Sequence, residues 1–161
     1  MVGSSNITKS NTKPTIVRQD HLAEKIVFVD GLAGCGKTML SPIVSSMDRV
    51  ELNTYAFEIE FICRLFRMGK IEEDAAISMV KMLTDHKLYQ TMMGREINFR
   101  YSDLSSVFND SRPWRYFKRI FQKGDMVIPK RIEKEKPILN LTTHNLLSMA
   151  EPIILGLENR D

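Results

Sequence analysis

The first clear change of pattern along the chain falls between residues 24 and 46, where a short apolar run gives way to a glycine-rich one. Lys25-Ile26-Val27-Phe28-Val29-Asp30 places β-branched and aromatic residues in succession and is closed by Gly31, the pattern of a buried strand. A helix is predicted from Lys37 to about Ser46. Pro42 is tolerable there only near the first turn, because a later proline removes a helix hydrogen bond. Arg49-Val50-Glu51-Leu52 reads as a second strand. From Tyr55 to Met68, Phe57, Phe61, Ile62, Leu65, Phe66 and Met68 recur at helical spacing before Gly69. A longer helix over 72–93 sets Ala76, Met79, Val80, Leu83 and Leu88 on its inner side and stops at Gly94.

The second half is less regular. Residues 94–113 are polar and read as a loop with a short helix inside it, and Trp114–Gln122 as a helix whose outer face carries Arg115, Lys118 and Arg119. Met126-Val127-Ile128 and Pro137–Thr142 are read as strands, and 145–157 as a mostly apolar helix broken near Pro152. Residues 1–23 are polar and form a flexible lead-in; 24–161 form the folded domain, with a helical insertion over about 55–123. Strands alternating with helices predict an α/β fold with a mainly parallel sheet. Only three or four strands are visible and the chain stops directly after a helix, so the expectation is the N-terminal portion of a longer protein.

Composition narrows this picture only a little. At 161 residues, with 43% hydrophobic and 27% charged residues, the chain is long enough for one domain with a core. A net charge of +3 suits an anionic ligand but is too small for a dedicated nucleic-acid binder. No apolar stretch is long enough to span a membrane, and the first 15 residues lack the apolar core of a signal peptide, so a cytoplasmic location is expected. Cys35 and Cys63 are too few for a metal set, and a reducing compartment fits them better than a disulfide.

The chemistry lies in Gly31-Leu32-Ala33-Gly34-Cys35-Gly36-Lys37-Thr38. Glycines at these spacings let successive backbone N–H groups turn toward an anion, and the following helix adds the positive end of its dipole. A lysine directly after the last glycine reaches the outer phosphate oxygens, and the next hydroxyl is placed to ligate Mg²⁺. On these residues, and on the strand before and the helix after them, the chain resembles the P-loop nucleoside-triphosphatase superfamily. The resemblance covers residues 25–46. It implies a three-layer P-loop fold in which Gly31, Gly34, Gly36 and Lys37 hold phosphates and Thr38 holds magnesium. Asp30, just before the loop, is either a base or metal partner or a strand-end carboxylate in a turn.

A Walker B element, a strand ending in Asp or Glu, is missing: Pro137–Thr142 runs into Thr143-His144, and Asp125 stands at the wrong end of its segment. Three readings follow. The first is a kinase-like transferase using ATP or GTP with Mg²⁺, with Arg95 and Arg100 reaching the transferred phosphoryl group. Close behind is a sulfotransferase-like enzyme using 3′-phosphoadenosine 5′-phosphosulfate, which needs no Walker B carboxylate and is similar at the Thr-Thr-His strand end. The last is a non-catalytic nucleotide-binding switch or assembly module. His144, at a strand end where ligands gather in such folds, is a candidate general base, with a capping or packing role as the alternative. The expected partners are a nucleotide donor and an acceptor.

Overall fold

The computed structural model describes residues 13–18 and 21–157. Its sheet has three strands, β1 (Lys25–Val29), β2 (Val50–Tyr55) and β3 (Ile138–Thr142), in the spatial order β1-β3-β2 and all parallel. Parallel strands of one sheet need crossover connections. Helix α1 (Lys37–Ser45) provides the first, between β1 and β2. Four helices lie between β2 and β3: α2 (Phe57–Arg67), α3 (Glu73–Met93), α4 (Trp114–Ile120) and α5 (Ile128–Glu135). A last helix, α6 (Glu151–Leu157), follows β3. The α/β class and the parallel sheet are as the chain pattern predicts.

Period-two alternation in β3 explains the division of the interior. Leu139 and Leu141 enter the main core with Ile59, Ile62 and Cys63 of α2, Val80, Leu88 and Met92 of α3, Ile128 and Ile132 of α5 and Ile153 of α6. Asn140 and Thr142, the alternate positions, are also buried, and they hydrogen-bond to β2: Asn140 Nδ2 to the Glu51 carbonyl and Thr142 Oγ1 to Asn53 Oδ1, 2.6 Å away. A second cluster of Leu52, Ile97, Val107 and Tyr116 fixes the 94–120 segment against β2, with the Tyr116 hydroxyl accepting from the Leu52 N–H.

Several elements depart from the sequence reading. Met126–Ile128 is no strand: Asp125–Val127 forms a 3-10 turn that leads directly into α5. Three apolar residues do not distinguish a strand from a helix start, and Ile128 and Ile132, four apart, are both buried as one face of a helix. The inward face of α2 is Ile59, Ile62 and Cys63, while Phe57, Phe61 and Met68 are exposed; Met79 of α3 is exposed too. Pro42 sits inside α1, beyond its first turn. The 145–157 segment is a 3-10 turn at Leu147–Met149 followed by α6, with Pro152 second in the helix. The face of α4 expected to be solvated is partly interior, since Arg119 is buried against Glu51.

The lead-in is also tied down where it is described. The Ile16 N–H donates to Asp74, the Ser78 hydroxyl to the Ile16 carbonyl, and Arg18 pairs with Asp85 of α3. Asp85 accepts the N–H groups of Leu22 and Ala23 as well, which fixes the chain as it enters β1. Residues 1–12 of the lead-in, and 19 and 20, lie outside the described residues.

Candidate phosphate site

The strands end level with one another: Thr142 is in register with both Val29 and Tyr55. The loop after β1, the turn after β2 and the turn after β3 therefore meet at the carboxyl edge of the sheet. Ligands gather there in open α/β folds because the connecting loops leave a crevice.

The glycine loop spans this edge and runs into α1. Gly36 precedes α1 with φ 85°, a left-handed conformation that glycine adopts without steric cost. Gly31, with φ 154°, also takes a backbone conformation that residues with a side chain rarely adopt, and a Cβ there would crowd the Cys35 Sγ at 2.9 Å. Among the described residues, the N–H groups of Gly34, Gly36, Lys37 and Thr38 have no backbone carbonyl partner, so they remain available to an anion. Lys37, the residue expected to reach the outer phosphate oxygens, has a buried side chain whose Nζ donates to the carbonyls of Gly31 and Leu32, each at 2.7 Å. The ammonium is thus held by two neutral acceptors that a charged phosphate oxygen can replace. Leu32, Ala33, Gly34 and Cys35 are exposed, and Thr38 is half-buried in the first turn of α1.

Asp30 takes the turn role. Its carboxylate accepts from the Thr143 hydroxyl at 2.9 Å and from the N–H groups of Leu146 and Leu147. Burial works to raise its pKa. The hydrogen bonds from Leu146, Thr143, Leu147 and Gly31 outweigh that and hold the carboxyl below its ordinary value of 3.8. Through Asp30 the turn after β3 is fastened to the root of the glycine loop, and the Asn145 N–H adds a bond to the Gly31 carbonyl.

His144 stands in that fastened turn. Its N–H and its Nδ1 both lie against Glu60 Oε1, at 2.8 and 3.0 Å. Its ring lies nearly parallel to Phe57 and Tyr55, with centroids 5.5 and 6.2 Å away. Glu60, buried in α2 and also paired with Arg64, orients the imidazole so that Nε2 is the nitrogen left for other work. Glu60 was not singled out in the sequence. The signal for it is a carboxylate on the same side of α2 as the apolar residues Ile59, Ile62 and Cys63.

The two arginines expected over the site are placed less tightly. Arg95 lines a hollow at the carboxyl end of β2 with Asn53, Tyr55 and Asp103, and Arg100 is exposed in the turn beyond it. No carboxylate stands directly at the end of β3, where Thr143-His144-Asn145 follow; the nearest acids in the fold, Asp30 and Glu60, are engaged by the turn after β3. Among the described residues, no group of three or more His, Cys, Asp or Glu side chains could hold a metal ion. The fit to magnesium thus rests on the Thr38 hydroxyl together with oxygens that a bound nucleotide would bring. No helix of the described residues is long and apolar enough to cross a membrane.

Comparison with known proteins adds no relative: no family model matches the chain, and neither the curated proteins nor the solved structures contain a match.

Proposed function

We propose that the chain is a P-loop domain that binds the phosphates of a nucleoside triphosphate at Gly31–Thr38 and passes the terminal phosphoryl group to an acceptor hydroxyl, water included. The observation that carries this reading is the placement of the loop. It joins a parallel strand to a helix at the carboxyl edge of the sheet, with four N–H groups unengaged and Lys37 resting on the loop's own carbonyls. The three-layer arrangement belongs to the same proposal.

In the proposed reaction, the loop N–H groups and the α1 dipole bind the phosphates, and Lys37 leaves Gly31 and Leu32 for the transferred group. Magnesium, bound at Thr38, would neutralise the phosphate oxygens. The acceptor oxygen bonds to the terminal phosphorus, the bond from that phosphorus to the bridging oxygen breaks, and the nucleoside diphosphate leaves with the electron pair. His144 Nε2 takes the acceptor proton, with Glu60 stabilising the imidazolium. Arg95 and Arg100 are the candidates to cover the transferred group.

A second reading, sulfuryl transfer from 3′-phosphoadenosine 5′-phosphosulfate, is favoured by one observation: β3 ends at Thr142 and runs into Thr143-His144, with no carboxylate there to complete a magnesium site. Calorimetry with ATP, GTP and the phosphosulfate, with and without Mg²⁺, separates the two. Magnesium-dependent binding of a triphosphate supports phosphoryl transfer. Metal-independent preference for the phosphosulfate supports the second reading, and binding of none of them refutes both.

A further inference from the structure

At the opposite, amino-terminal edge of the sheet lies a second concavity, of about 390 Å³, bounded by the residues that lead into β2 and β3 and by α4 and α5. Strands of five or six residues put it roughly 15–20 Å from the glycine loop. Six cationic side chains line it: Arg49 before β2, Arg112 before α4, Arg115, Lys118 and Arg119 on α4, and Arg131 on α5. Against them stand three carboxylates, Asp48, Glu51 and Glu135. The excess of three positive charges equals the formal net charge of the entire chain, +3, so the rest of the protein is balanced and its surplus is concentrated in this hollow.

The partners of these groups show which charges the fold itself uses. Arg119 is consumed by Glu51, at 2.7 and 2.9 Å. Arg112 and Arg115 brace the segment around β2, Arg112 donating to the Ser45 and Met47 carbonyls and Arg115 to the Val50 carbonyl. Each still has a buried Nε without a hydrogen-bond partner among the described residues. Arg131 makes one long bond, 3.3 Å, to the Met92 carbonyl. The Lys118 side chain is exposed with no hydrogen bond or ion pair among the described residues, and the Arg49 side chain has only the exposed Asp48, at 3.5 Å. Cations drawn from three separate segments into one hollow repel one another; the three lining carboxylates, with Asp110 Oδ2 behind them 3.8 Å from Arg115 Nη2, offset four of the six. Guanidinium forks arriving from several directions match a tetrahedral, multiply charged oxyanion better than a single planar carboxylate.

We infer that this hollow is a second anion site, separate from the glycine loop, that binds a small phosphate-bearing ligand through Arg49, Lys118 and Arg131 around the Arg112–Arg115–Arg119 framework. The assignment does not depend on what the glycine loop binds.

The test is an amide chemical-shift titration of the ¹⁵N-labelled full chain with inorganic pyrophosphate and, separately, with a nucleoside 5′-monophosphate. Signals from residues 49, 112–122 and 131 report the hollow, and those from 31–38 report the glycine loop independently. Saturable shifts in the first set are expected, and the tighter of the two probes tells whether the phosphate is recognised free or carried on a nucleoside. Arg49 and Lys118 are exposed and brace nothing, so the Arg49→Gln/Lys118→Gln chain should fold and lose affinity at the hollow roughly tenfold at low ionic strength. Shifts in 31–38 should be unaltered by that change. Absence of saturable shifts in the hollow with both probes would overturn the assignment, as would undiminished affinity in the double variant.

Discussion

The buried pair between Glu51 of β2 and Arg119 of α4 offers a stability test whose size follows from geometry. Glu51 is 2% and Arg119 6% exposed, and two hydrogen bonds of 2.7 and 2.9 Å join them in the two-pronged arrangement that guanidinium and carboxylate favour. Burial works against the Arg119 charge, but hydrogen bonding and attraction to Glu51 more than restore it, so the guanidinium stays charged. Arg119→Ala would leave the buried Glu51 side chain without its two-pronged partner, with Arg115 Nη1 at 3.9 Å as the nearest remaining cation, and would remove the bond to the Thr91 carbonyl. Breaking a buried pair from one side costs about 3–5 kcal/mol. The Arg115 guanidinium takes up part of the deficit, so the lower end, about 3 kcal/mol, is expected. For a chain of this size that lowers the melting temperature by roughly 6–12 °C. Urea unfolding followed by circular dichroism measures it, and Arg119→Met, Glu51→Gln and the Glu51→Gln/Arg119→Met pair form a double-mutant cycle. The pair should recover most of the loss, because neither remaining group is charged. A cost under about 1 kcal/mol for Arg119→Ala, or no coupling in the cycle, would refute the reasoning.

Three further outcomes follow from the site. Asp30 has a lowered folded pKa, so the stability it contributes is present above its ordinary value of 3.8 and is lost as the pH falls through the folded value. Asp30→Asn should therefore flatten the acid limb of the stability–pH curve below about pH 4, read by urea midpoints at several pH values. Cys35 is exposed in the glycine loop, whereas Cys63 is buried with its thiol pushed up to about 11 by desolvation and then by Glu60. Alkylation at pH 8 should label Cys35 alone in the folded chain, and a bound nucleotide should slow it; labelling of Cys63 at a similar rate would contradict the packing of α2. His144→Ala should cut phosphoryl transfer by about 10²–10⁴-fold with nucleotide affinity little changed, in single-turnover and binding assays run together. Equal transfer rates would return His144 to a packing role.

Much of the site could be read along the chain because its determinants are local. The strand before the glycine loop, the glycines and the Lys37-Thr38 pair are contiguous, and each follows from steric freedom or charge within a few residues. The long helix α3 is likewise set by a long stretch of helical pattern ending at Gly94. Contacts made across the fold were not legible. Glu51 and Arg119 are 68 residues apart, and His144 and Glu60 are 84 apart, so nothing in the local pattern pairs them. The error at Met126–Ile128 has a different origin, since a run of three apolar residues fits either period. Phe57 recurs at helical spacing with the other apolar residues of α2, but its ring stacks on His144 at the exposed edge, a contact that the spacing does not show. Lys37 shows the same limit: its residue type marks the candidate phosphate site, but its contact with the Gly31 and Leu32 carbonyls appears only in three dimensions.

The central claim is that Gly31–Thr38 binds nucleotide phosphates, and calorimetric titration of ATP and GTP into the wild-type and Lys37→Ala chains tests it most directly. Because Lys37 also holds two loop carbonyls, the variant's unfolding transition is recorded first to confirm that it is folded. The account predicts magnesium-dependent binding to the wild-type chain and a loss of tenfold or more, about 1.4 kcal/mol, in the folded variant. Unchanged affinity in a folded Lys37→Ala protein, or no binding of either triphosphate to the wild-type chain, would contradict it.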